Sequence, residues 1–62
     1  MKVKEIIKKL ENDGWIQIRQ RGSHKQFKKD GVVEIITIPD HGKNEELSKG
    51  VENKIKKIAG WK

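Results

Sequence analysis

Val3, Ile6, Ile7 and Leu10 fall at i, i+3, i+4 and i+7, the spacing of an amphipathic helix with one buried stripe. Lys4, Glu5, Lys8, Lys9 and Glu11 take the other faces, which predicts a helix over residues 2–13. Asn12-Asp13-Gly14 ends it, with Gly14 suited to left-handed backbone past the last turn. The period then changes to alternation. Strands are expected over 15–21, 24–29 and 32–38, the last rich in β-branched residues. Pro39 closes the third strand because it has no N–H to give the ladder. Residues 39–44 read as a loop. A second helix is expected over 48–59, with Val51, Ile55 and Ile58 as its stripe, Ser48 as its N-cap and Gly60 as its stop. Trp61 is expected to fold back on the core or meet a partner.

The turns set a trial register. Gly22-Ser23 suits a two-residue hairpin, since Gly takes a positive φ without steric cost. Arg21 then faces His24, and Arg19 faces Gln26. Asp30-Gly31 suits a type I′ turn that pairs Lys28 with Val33, Gln26 with Ile35 and His24 with Thr37. This arrangement puts Ile16, Ile18, Phe27, Ile36 and Ile38 on one face of the sheet. It puts Gln17, Arg19, Arg21, His24, Gln26, Lys28, Val33, Ile35 and Thr37 on the other. Lys25 and Glu34 fall on the core side and have to reach out at its margin. A one-residue bulge would reverse the facing beyond it. The expected fold class is α+β, in the order α-β-β-β-α, with two helices on one face of a three-stranded antiparallel sheet. Residues 1–62 read as one domain.

Composition narrows the partners. Fifteen Lys and Arg against nine Asp and Glu give a net charge of +6, which favours a polyanion or an acidic protein. The absence of cysteine excludes disulfides. With two histidines and no thiolate, neither a structural zinc site nor any other metal or cofactor is expected. No apolar run has the length of a signal peptide or membrane span, so a soluble cytoplasmic protein is expected.

The candidate chemistry lies on the polar sheet face. Arg19, Arg21, His24 and Gln26 cluster there, a histidine among arginines being suited to a phosphate. The plain alternative for His24 is a surface residue kept for polarity. Val33 and Ile35, with Trp15 at the end of the same face, form an apolar strip suited to a partner or to nothing at all. His41 follows Pro39 and could approach the same rim as a second proton carrier, or simply bond nearby backbone.

The order α-β-β-β-α, Gly22-Ser23-His24 opening the second strand, and Ile36-Thr37-Ile38-Pro39-Asp40-His41 closing the third resemble the HicA toxins of bacterial toxin–antitoxin systems. The helix from Gly50 to Gly60 fits the same pattern. The resemblance spans essentially the whole chain and implies a fold similar to double-stranded-RNA-binding domains. It also implies a metal-independent mRNA-cleaving endoribonuclease with His24 as the catalytic residue. Its partners would be mRNA and a HicB-like antitoxin, and the free toxin would be a monomer. Under that reading Arg19, Arg21, Ser23, Lys25 and Lys28 would hold RNA. Trp15, His24, Val33 and Ile35 would meet the antitoxin, and Gly22 and Gly31 would serve the turns. The rivals are a non-catalytic RNA-binding module using the same basic surface and a pure protein-interaction domain.

Overall fold

The computed structural model describes residues 1–42 and 45–61. Lys43 and Asn44, from the predicted 39–44 loop, and Lys62 lie outside the described residues. The elements run α1 (Val3–Asn12), β1 (Ile16–Arg21), β2 (His24–Lys28), β3 (Ile36–Pro39) and α2 (Lys49–Ala59). The strands form one antiparallel sheet in the order β1-β2-β3. Val3, Ile6 and Leu10 of α1 and Ile55 of α2 meet Phe27, Ile36 and Ile38 of the sheet in a single buried cluster. Both helices therefore cover the same face, and the other is left bare. This is the α+β architecture the hydrophobic periods predict.

The helix ends explain why the connections are short. After α1, Gly14 takes φ 95°, and the N–H groups of Gly14 and Trp15 turn back to the carbonyls of Glu11 (3.1 Å) and Leu10 (3.0 Å). These bonds satisfy carbonyls the helix leaves unpaired. After α2 the device recurs, with Gly60 at φ 75° and Trp61 N–H bonded to Lys56 O at 2.9 Å. The Ser48 hydroxyl caps α2 by accepting from Val51 N–H at 3.4 Å. Val3 N–H to Glu45 O (3.0 Å) and Leu47 N–H to Met1 O (3.1 Å) add a short antiparallel pairing that places the two helix starts side by side. Both paired segments are too short for a period to announce them.

Two expectations about the sheet are corrected. In β1 the register shifts between Gln17 and Arg19: Arg19 faces Gln26, whereas Gln17 faces Phe27 and Ile16 faces Lys28. Ile18 is the extra residue of a bulge, and facing is reversed beyond it. Ile16 and Ile18, expected in the core, are 68% and 51% exposed, while Trp15, expected on the outer face, is 2% exposed. The exchange has a plain cause. Trp15 carries more apolar surface than Ile16, and the bulge puts the larger side chain inside.

The second correction concerns β3, which begins at Ile36 rather than Val32. It pairs Gln26 with Thr37 and His24 with Pro39, two residues away from the expected register. A two-residue slip preserves facing, so Phe27, Ile36 and Ile38 stay inside. The slip starts at the turn. Val32 N–H bonds Lys29 O at 3.1 Å and Gly31 takes φ 84°, but Asp30 does not adopt the positive φ that a type I′ turn requires. A turn with only its second central residue left-handed splays the flanking strands. Residues 32–35 accordingly stay outside the ladder.

Candidate functional site

The β1–β2 turn organises the site. Gly22 has φ 57° and Ser23 does not have a positive φ, the signature of a two-residue turn with glycine first. Arg21 and His24 are therefore directly opposed, with Arg19 and Gln26 the next outward pair. Lys28 belongs to the same face two residues further along β2. The side chains of Arg19, Arg21, His24 and Lys28 are all exposed. An exposed imidazole thus stands on the hairpin within a cationic row. On its other side His24 faces Pro39.

The end of β3 clamps this turn. Asp40 N–H donates to Ser23 O at 2.6 Å, tying the chain after β3 to the residue before His24. The Asp40 carboxylate accepts from Lys25 Nζ at 2.9 Å and from Gly42 N–H at 3.0 Å. The Lys25 bond is the main reason its carboxyl titrates below the ordinary range, with the Gly42 bond second. Lys25 alternates away from His24, toward the helix-covered face, and its charge is spent on Asp40. It is therefore not part of the exposed row. An inward lysine near an acidic strand end was the available signal for the role of Asp40.

His41 does not share His24's surroundings. It lines a depression of about 460 Å³ with Gln20, Ser23, Lys25 and Asp40, and its backbone N–H donates to Glu45 Oε1 at 3.3 Å. His24 instead lines a groove of about 220 Å³ between β3 and α2. Of the apolar strip, Val33 is 91% and Ile35 is 44% exposed, but Trp15 sits in the core and cannot meet a partner on the outer face. Among the described residues no three His, Cys, Asp or Glu side chains converge as metal ligands. Among the described residues no helix is long and apolar enough to cross a membrane.

Two helices packed on one face of a short sheet, with a basic hairpin bare on the other, define a very small α+β protein with one open sheet face. The family model described as HicA toxin of bacterial toxin-antitoxin matches residues 3–61. A solved structure of a HicA3 and HicB3 toxin-antitoxin complex contains a chain with 39% sequence identity to this one. The match covers 100% of this chain and 97% of that chain, with a TM-score of 0.79. No curated protein matches the sequence. The chain belongs to the HicA toxin family.

Proposed function

We propose that this HicA-family toxin is a metal-independent endoribonuclease that cuts mRNA with His24 and is neutralised by a HicB-like antitoxin. The observation that carries the reading is the direct pairing of exposed Arg21 with exposed His24 beside Arg19 on a bare sheet face. RNA brings its own nucleophile, the 2′-hydroxyl beside the scissile phosphate. The protein has to move protons and stabilise charge on the phosphate oxygens. The 2′-oxygen attacks phosphorus as its proton leaves to a base, and the bond to the 5′-oxygen breaks as that oxygen gains a proton. A 2′,3′-cyclic phosphate and a 5′-hydroxyl result. His24 takes one of these proton transfers, because an imidazole can serve as proton acceptor or donor. Arg19, Arg21 and Lys28 hold the phosphates, Arg in bidentate fashion. Ser23 contributes at the turn. Lys25 acts mainly through its bond to Asp40, and His41 is a candidate second proton carrier approaching from the neighbouring depression.

The antitoxin reading is supported by the partner named in the matched complex. A HicB-like protein with acidic groups and an apolar anchor would cover His24 and meet exposed Val33 and Ile35 together. Purified protein incubated with 5′-labelled mRNA in EDTA tests the nuclease. We expect cleavage with cyclic phosphate ends, and a loss of about 10²–10⁴-fold in His24→Ala with RNA affinity nearly intact. Equal cleavage by both proteins, or 3′-hydroxyl ends, would refute it; binding without cleavage by either would leave an RNA-binding module.

A further inference from the structure

We propose that the groove between β3 and α2 is a subsite for one unpaired nucleobase of the RNA strand cut at His24, an inference that rests on the ribonuclease reading above. Among the described residues β3 is an edge strand of the sheet, and the groove follows that edge. Ile35 and Pro39 on the strand side and Val51 and Ile58 on α2 supply apolar walls, and exposed Lys54 and His24 also line it. His24 stands directly across from Pro39. Whatever fills the groove therefore lies against the group assigned to the reacting phosphate.

Size and chemistry select the occupant. At about 220 Å³ the groove is smaller than the clefts that bury drug-sized ligands, and it suits a single flat ring system. Unstacked RNA bases are recognised by apolar and imidazole contacts to their faces and by hydrogen bonds to their edges. Thr37 also lines the groove, and a threonine hydroxyl can donate or accept at such an edge. Charge extends the fit. A neighbouring depression of about 360 Å³ is lined by Glu34, Lys54, Lys57 and Ile58, so an RNA backbone leaving the groove meets two ammonium groups against one carboxylate. A base held there would fix the adjacent phosphate at His24, and cleavage would depend on the identity of that base.

The probe is a short single-stranded RNA, 2′-O-methylated and hence uncleavable, with 2-aminopurine walked through its positions. Emission should change at one position, adjacent to the phosphate cut in the unmodified RNA. The change should vanish in Val51→Phe, which fills the groove, and weaken in Lys54→Ala. With unmodified RNA, Val51→Phe should raise KM about tenfold or more, the scale of losing one base contact. Should Val51→Phe fail to fold by circular dichroism, Lys54→Ala carries the test, since its side chain is exposed. Equal emission at every position of a bound RNA, or a change unaltered in the variants, overturns the subsite. So does a Val51→Phe protein that loses the antitoxin but keeps the emission change, because the groove would then be a protein-docking surface. A position-specific change without cleavage of unmodified RNA keeps the subsite and overturns the nuclease. RNA that does not bind overturns both.

Discussion

At the residue scale the cations around His24 have different expected roles. Arg21 and Lys28 are exposed on its face, whereas Lys25 is paired with Asp40 on the other. Replacing Arg21 or Lys28 with alanine should weaken RNA binding for all sequences and reduce the salt slope by about one each, read from binding titrated against ionic strength. Replacing Lys25 should act through stability instead. The Asp40 carboxyl is held below its ordinary value, first by Lys25. Its contribution to stability is therefore complete above the unfolded-state value of about 3.9 and is lost as pH falls through the lower folded-state value. Asp40→Asn should lower the melting temperature at neutral pH and flatten its fall between about pH 5 and 2, as measured by thermal denaturation across that range. Equal acid sensitivity in the variant would show that the carboxylate is not part of the clamp.

At the element scale the hairpin carries the strongest prediction. Gly22 has φ 57° with open space where a Cβ would go, so Gly22→Ala meets no clash and bears only backbone strain. Urea denaturation should show a loss of about 1 kcal/mol or slightly more, without a change in slope. The same elements show what a sequence does and does not disclose. Arg21 opposite His24 was legible because the Gly-Ser turn fixes it locally. The facing of Ile16 and Ile18 was not, because the bulge that inverts it is chosen by whether Trp15 or Ile16 goes inside. That choice is settled by packing against helices remote in sequence. The β3 register failed for a related reason: Asp30-Gly31 admits more than one turn type, and only the backbone angles distinguish them. The placement of His24 beside Arg21 follows from turn chemistry, whereas the groove it shares with α2 needs both β3 and α2 in place.

At the scale of the whole molecule, the core is small and concentrated. Phe27 lies on the central strand, is fully buried, and joins residues of both helices. Its replacement by alanine should cost about 3–5 kcal/mol, much of what a domain of this size possesses. Circular dichroism should find Phe27→Ala largely unfolded at room temperature; a well-folded variant would mean that the core relaxes around the cavity.

Both helices end in Gly-Trp, and the repeated ending leaves the two indoles in different settings. Trp15 is sealed in the core. Trp61 is only partly covered: its Nε1–H donates to Asp13 Oδ2 at 3.2 Å, and Lys9 Nζ lies 4.7 Å from its ring centre. The Trp61 bond is also the main reason the Asp13 carboxyl titrates below the ordinary range. The molecule thus carries two intrinsic fluorophores with separate assignments. Trp15 emission reports global unfolding, while Trp61 emission reports whether the end of α2 is moored to the end of α1. With Trp61→Phe to isolate the first, the pair can time the release of one helix terminus against collapse of the whole fold, with no dye attached.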